Sequence, residues 1–259
     1  SAGLLSPGTR QTRDGPFVAI GDPIYNQADE RLPPDRRTGN TPAALMSILP
    51  RLVSRTGPPA GMELPRLAGS ASEIRACARA WHGGSGTAIL LTGAQASLDA
   101  VDRALAPGAA VVHFATHFVP SAVEPGRAMI ALSLNEKGAP EFLGPAEITR
   151  RRLDVGLVVL SGCASATGEA VPAEGLLGMT RAWLAAGAGS VLGTLWPTAD
   201  DDGSLLTSFY RHMAALRDRR DGWAAAEALR RGQLEALRGG SRQSRSPAHW
   251  GAYVLAGGE

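Results

Sequence analysis

One segment of the sequence joins a buried strand to a candidate nucleophile: Leu157-Val158-Val159-Leu160-Ser161-Gly162-Cys163-Ala164-Ser165. Its four consecutive large apolar residues show no alternation. They therefore predict a strand that is covered on both faces, as in the parallel sheet of an α/β domain. The small residues that follow allow a sharp turn. They leave Cys163 at the carboxyl end of its strand, where open α/β sheets bind their ligands.

A second apolar segment ends on a histidine. Residues 110–117 read as another strand, and His117 is its last residue. Because an imidazole beside a thiol stabilises the thiolate and can protonate a leaving group, the two strand ends predict a Cys163 nucleophile with His117 as its partner. The alternative is that Cys163 is a small core residue, as free cysteines usually are.

Composition excludes several classes of function. The 259 residues carry a formal charge of +2, Lys137 is the sole lysine and the arginines are scattered, so no nucleic-acid-binding stripe is predicted. Two cysteines are too few for a disulfide framework and suit a reducing compartment. No apolar run reaches the roughly 18 residues of a membrane span. We expect a cytoplasmic protein with no membrane span and no nucleic acid as a direct partner.

Periodicity predicts alternating strands and helices, which favours an α/β fold with a mostly parallel sheet. Strands are predicted at residues 17–20, 87–92, 110–117, 128–134, 157–160, 190–195 and 250–255. Residues 26–65 carry seven prolines and predict an irregular insertion with at most one short helix near 43–52. Residues 118–121 predict a loop. Cys77 falls on the apolar stripe of a predicted helix, so we interpret it as a core residue.

Three other patterns have simpler explanations than a ligand site. The glycine-rich residues 83–86 precede a strand, whereas a phosphate-binding loop follows one. Asp200, Asp201 and Asp202 could bind a metal, but capping of the next helix explains them more simply. His113 and His117 have the spacing of a helical zinc site. On a strand they would lie about 13 Å apart, too far for one ion.

Three segments, in this order, resemble the CHAT domain, a bacterial and archaeal branch of the caspase and separase clan of cysteine peptidases. They are His113-Phe114-Ala115-Thr116-His117, Val158-Val159-Leu160-Ser161-Gly162-Cys163 and Gly187-Ala188-Gly189-Ser190-Val191-Leu192-Gly193-Thr194-Leu195-Trp196-Pro197. Cys163 follows His117 by 46 residues, close to the roughly 50 of caspases. The resemblance covers residues 17–257, so we divide the chain into a tail at 1–16 and a CHAT domain at 17–259.

The resemblance implies a caspase-like three-layer α/β/α sandwich and a cysteine endopeptidase that cleaves a protein substrate. The dyad positions fall on His117 and Cys163, and the backbone amides of Phe118 and Cys163 would bind the oxyanion. No metal or organic cofactor is implied. Phe118 replaces the glycine that is usual after the histidine, and Ala164 replaces a frequent glutamate. We expect the bulky Phe118 to tilt its loop and make the oxyanion site dependent on activation.

Two further expectations concern the substrate and control. Asp22, Glu169 and Glu174 lie on loops at the carboxyl edge of the predicted sheet, with Arg127 as the main opposing charge, so a basic residue before the cleaved bond is predicted, as in separases. CHAT domains are commonly attached to repeat or sensor modules, in bacterial signalling or defence. Because the chain starts without methionine, we expect a longer polypeptide or an engineered start, and a regulatory domain or partner. The alternative is a catalytically silent interaction module.

Overall fold

A computed structural model describes residues 15–33, 37, 64–83, 88–121, 124, 127–162, 173–196, 203–216, 223–239 and 245–258. The strands in these ranges are β1 (Phe17–Pro23), β2 (Ala88–Gly93), β3 (Ala109–Ala115), β4 (Phe118–Pro120), β5 (Ala128–Leu132), β6 (Glu141–Leu143), β7 (Val155–Leu160), β8 (Ala188–Thr194) and β9 (Tyr253–Gly257). The helices are α1 (Ala68–His82), α2 (Leu98–Leu105), α3 (Pro145–Thr149), α4 (Ala173–Ala186), α5 (Ser204–Ala215), α6 (Ala224–Arg238) and α7 (Pro247–Trp250).

The central sheet has the order β2-β1-β3-β7-β8-β9 within the described residues. Its neighbours from β2 to β8 pair in parallel, and β9 joins β8 antiparallel. Parallel neighbours need crossover connections. Here α1, α2 and α4 follow β1, β2 and β7 along the chain. The predicted α/β fold with a mostly parallel sheet is confirmed.

Apolar side chains cover both faces of this sheet. On β3, Val112 and Phe114 belong to one core cluster, which also holds residues of α2 and α4. Val111 and Ala115 belong to the other cluster, with residues of α1, α5 and α6. The continuous apolar runs of β3 and β7 follow from this double burial. The architecture is three-layered, as expected for a caspase-like fold.

A small antiparallel sheet in the order β4-β5-β6 lies beside the central one. The sequence-based prediction of a loop at 118–121 was wrong, because Phe118–Pro120 pairs with β5, Phe118 opposite Ile130. Phe118 and Val119 are 3% and 1% exposed. Burial of these two side chains stabilises a strand too short to show periodicity in the sequence.

The first or last residues of some strands also differ from the prediction. The last strand begins at Tyr253 and not at residue 250, because Pro247–Trp250 forms the short helix α7, with proline in its first turn. The first strand continues to Pro23, past the predicted stop at Gly21. The predicted helix at 43–52 lies outside the described residues. None of the helices in the described part of the chain combines the length and apolarity that a membrane crossing needs.

Candidate active site

The two predicted dyad residues follow neighbouring strands of the central sheet in the sequence. Phe114 on β3 pairs with Leu160 on β7. In the sequence, His117 and Cys163 each follow that pair by three residues. Cys163 itself lies outside the described residues, as does Glu169. Glu174 falls within α4, but its side chain is also outside the description.

The imidazole of His117 is buried and hydrogen-bonded to the backbone. His117 is 1% exposed, and its Nε2 is 2.8 Å from the carbonyl oxygen of Pro65. A carbonyl oxygen only accepts, so Nε2 carries the proton and donates it to Pro65. In this tautomer, Nδ1 is the ring nitrogen that can take up a second proton. The ring of Tyr25 is 5.0 Å away, and its hydroxyl accepts from the His117 backbone N–H at 3.3 Å.

The acceptor belongs to residues 64–67, which we call the Pro65 segment and which precede α1 directly. Leu64 is 7% exposed and packs in a small core cluster with Tyr25 and Val119. Arg66 donates from Nε and Nη2 to the two carboxylate oxygens of Asp22, at 2.9 and 2.8 Å. Sequence reasoning missed this segment, because Leu64 and Pro65 end the stretch interpreted as an irregular insertion and no periodicity marks residues 64–67.

Asp22, a predicted substrate-binding residue, is buried and already paired. It lies near the end of β1, is 4% exposed, and also contacts Nη1 of Arg31 at 2.9 Å. Arg31 in turn binds Asp29, and that hydrogen bond is the main reason why the pKa of Asp29 is lowered. Two guanidinium groups therefore neutralise the Asp22 carboxylate. Its role in binding substrate stays a prediction.

Comparison with known proteins adds to this geometry. A family model for the CHAT domain matches residues 5–258. The chain belongs to the CHAT domain family. The three-layer fold described above is the one expected for a member of this caspase-like, peptidase-related family. The predicted family membership is confirmed.

A curated relative is tetratricopeptide repeat protein 28 of Mus musculus. It is 34% identical to this CHAT domain over 119 residues. The matched part covers 46% of this chain and 4% of that protein. The chain thus spans only a small part of the length of the curated relative that it matches.

Phe118, which this CHAT domain carries after its histidine, has its ring in the main core. Gly162, the last described residue before Cys163, lies against that ring. A Cβ atom built on Gly162 would come within 2.0 Å of Cδ2 and Cε2 of Phe118 and within 2.5 Å of the carbonyl oxygen of Thr116. Close packing therefore fixes the backbone path at residue 162. The predicted oxyanion role of the Phe118 amide and the predicted loop tilt stay predictions.

Cys77 is buried in the core, whereas a nucleophile at the end of a strand must be accessible to the substrate. It is 0% exposed on α1, and burial raises the pKa of its thiol well above the ordinary value. Its sulfur is 3.9 Å from Oγ1 of Thr207. A thiol with a raised pKa is a poor nucleophile. The prediction that Cys77 is a core residue is confirmed.

His113 is paired inside the CHAT domain core. Its Nε2 is 3.1 Å from Oε1 of Glu73, and the imidazole is completely buried. Nδ1 has no hydrogen-bond partner among the described residues. In the same part of the chain, no group of three or more histidine, cysteine, aspartate and glutamate side chains could hold a metal ion. Asp200, Asp201 and Asp202 lie outside the described ranges.

Proposed function

We propose that this CHAT domain is a cysteine endopeptidase that cleaves a protein substrate with the dyad His117 and Cys163. The observation that carries the proposal is the state of His117. Its ring lies at the carboxyl edge of the sheet with Nε2–H donated to Pro65, so that Nδ1 remains the basic nitrogen. Cys163 follows the neighbouring strand at the matching position in the sequence.

The chemistry follows from these two groups. The Cys163 thiolate attacks the carbonyl carbon of the scissile bond, and the carbonyl oxygen becomes an oxyanion. The imidazolium of His117 protonates the leaving amine, and a thioester remains on Cys163. His117 then takes a proton from water, and the resulting hydroxide attacks the thioester carbonyl carbon. Cleavage of the C–S bond releases the carboxylic acid and restores the Cys163 thiolate beside the His117 imidazolium. Neither step needs a metal or an organic cofactor.

The oxyanion is held by backbone amides of Phe118 and Cys163. Each such donor contributes on the order of 3 kcal/mol to transition-state stabilisation. The packing of Phe118 against Gly162 supports a fixed backbone on this side of the dyad.

The first test is cleavage of a peptide library, read by mass spectrometry. We expect Cys163→Ala and His117→Ala each to abolish essentially all cleavage. Cys77→Ala is the matched control and should retain it. Each variant is also unfolded in urea, because His117 is buried and its loss must be separated from loss of the fold. Activity in Cys163→Ala, or its loss only in Cys77→Ala, would contradict the dyad.

The same library reports the residue before the cleaved bond. We propose a basic residue, on the basis of the acidic side chains Glu169 and Glu174. Asp22 contributes less than the sequence predicts, because Arg31 and Arg66 already neutralise it. A clear preference for aspartate would contradict this proposal.

The regulatory partner is proposed to be a helical repeat module. The likeness to a part of tetratricopeptide repeat protein 28 supports a repeat module, either in the same polypeptide or in a partner protein. Such repeats form extended surfaces that bind other proteins. The activating signal would act through that module.

A further inference from the structure

We propose that Asp22 and Arg66 are positioning residues, which hold the Pro65 carbonyl on the imidazole of His117. This inference rests on the proposed dyad. It gives Asp22 a role that differs from binding the substrate.

The first argument is the geometry of the ion pair. Arg66 uses Nε and Nη2 on both oxygens of Asp22, and such a bidentate pair fixes direction as well as distance. The side chain of Asp22 is 6% exposed and that of Arg66 is 52% exposed. The carboxylate is thus the buried anchor, and Arg66 reaches it from the surface. Arg66 directly follows Pro65, so the pair restrains the carbonyl that accepts from His117.

The second argument is that β1 ends in a conformation that supports this anchor. Asp22 has φ +47° and is the only non-glycine residue with positive φ in the described chain. That conformation is unfavourable for most residues that carry a Cβ atom. Its N–H donates to Oγ of Ser70 at 2.7 Å, and the Ser70 hydroxyl donates to the carbonyl of Leu67 at 2.7 Å. Asp22 therefore fixes the Pro65 segment through its backbone and through its side chain.

The third argument is that the Pro65 segment needs a restraint. Residues 64–67 belong to no helix or strand of the described structure. Leu64 packs at one end of the segment and Arg66 binds Asp22 near the other, with Pro65 between them. Without Arg66, the carbonyl would lose its fixed position, and the imidazole could change tautomer or rotate. For metal-bound histidines, loss of the group that orients the ring typically costs roughly 10 to 100-fold in metal affinity or activity, and we expect a loss of similar size for His117.

The positioning role and the substrate role predict different kinetics. A carboxylate that binds the substrate affects KM and the preferred residue before the cut. A residue that orients His117 affects kcat and leaves both of those properties unchanged. Arg66→Lys should restore only part of the rate, because one ammonium group cannot span both oxygens of Asp22 in the same way.

The closing experiment measures alkylation of Cys163 by iodoacetamide, quantified by mass spectrometry on the intact chain. It needs neither a substrate nor an activator. We expect Arg66→Ala and Asp22→Asn to slow the reaction roughly tenfold. Arg75→Ala, which removes an exposed arginine from α1, is the matched control and should react like the parent protein. Arg66 is half exposed, so its variant should fold even if Asp22→Asn does not.

A comparison of the single variant His117→Ala with the double variant His117→Ala, Arg66→Ala separates positioning from a purely structural effect. Arg66→Ala should have no further effect there, because it acts through the imidazole. In the parent protein, ¹⁵N spectra should show a His117 protonated at Nε2, and Arg66→Ala should give a mixture of tautomers. If His117→Ala slows alkylation and Arg66→Ala does not, the positioning role is overturned and the dyad is retained. If His117→Ala leaves the rate unchanged, both are overturned.

Discussion

At the scale of single residues, Gly162 leaves no room for a side chain before the proposed nucleophile. A methyl group there would meet the Phe118 ring and the Thr116 carbonyl at 2.0 and 2.5 Å. We expect Gly162→Ala to lower the free energy of unfolding by about 1–3 kcal/mol, or more where the Thr116 backbone cannot move. Urea denaturation measures this change. Gly178→Ala is the control, because a helix favours alanine and, among the described residues outside its own helix backbone, no atom lies within 4 Å of the added methyl. Equal effects at the two positions would contradict the packing.

Tyr210 provides a pH-dependent prediction. It is completely buried, its hydroxyl has no hydrogen-bond partner among the described residues, and burial raises its pKa well above the ordinary value. The unfolded chain therefore loses this proton near pH 10 while the folded chain keeps it. Its contribution to stability is fully present below pH 10 and is lost as the pH rises above that value, by up to about 1.4 kcal/mol per pH unit.

Tyr210→Phe removes this titration. We expect the variant to be as stable as the parent at pH 7, or more stable by about 1 kcal/mol, because it removes an unsatisfied buried hydroxyl. Above pH 10 its free energy of unfolding should fall less steeply. Urea denaturation at pH 7, 9 and 10.5 gives both results. Parallel pH profiles for the two proteins would show that Tyr210 does not keep its proton on folding.

The sequence predicts His117 as a site residue, but it does not predict the contact of His117 with Pro65. His117 ends an apolar strand, and that pattern is local. The contact between His117 and Pro65 joins residues 52 positions apart, and one partner is a backbone carbonyl that any residue type would offer. The pairing of Asp22 was hidden for the same reason. An acidic residue at a strand end reads as a substrate ligand until the arginines around it are located.

At the scale of elements, the start of α1 is bound to the end of β1 through Ser70. Ser70 is 2% exposed. Its hydroxyl accepts from the N–H of Asp22 and donates to the carbonyl oxygen of Leu67. We expect Ser70→Ala to cost about 1–3 kcal/mol, because a buried donor and a buried acceptor lose their partner. Ser72→Ala on the exposed side of the same helix should change stability by less than about 0.5 kcal/mol. Urea denaturation of both variants tests the difference, and similar values would contradict this role for Ser70.

Long, buried strands were predicted from the sequence, and some short elements were missed. β3 and β7 were predicted because continuous apolar runs mark strands that are covered on both faces. β4 was missed because its three residues, Phe118–Pro120, are too few to display a period. Trp250, the last residue of the short helix α7, was read as the start of the last strand, since Trp250 and Tyr253 are both aromatic residues that favour strands.

At the scale of the whole molecule, we expect the proposed peptidase to be under control, because an endopeptidase that is always active would damage its host. We expect the 259-residue domain alone to have low activity, and a repeat module in the full-length protein or in a partner to raise it. The proposed physical reason is a shift between an inactive and an active arrangement of the dyad, which the module would bias by binding one of them more tightly. Turnover of one peptide by the domain and by the full-length protein, with and without the activating signal, tests this expectation. Equal and high rates throughout would show that no partner is needed.

The central claim is that Cys163 is a nucleophile activated by His117, and labelling with a peptidyl acyloxymethyl ketone tests it most directly. Such an electrophile reacts with a cysteine that is aligned for attack on a bound peptide. We expect mass spectrometry to find the label on Cys163, His117→Ala to slow labelling strongly, and Cys77→Ala to leave it unchanged. An intact protein that never labels, even with its activator present, or a label on Cys163 that forms equally fast without His117, would contradict the account and favour a silent interaction module.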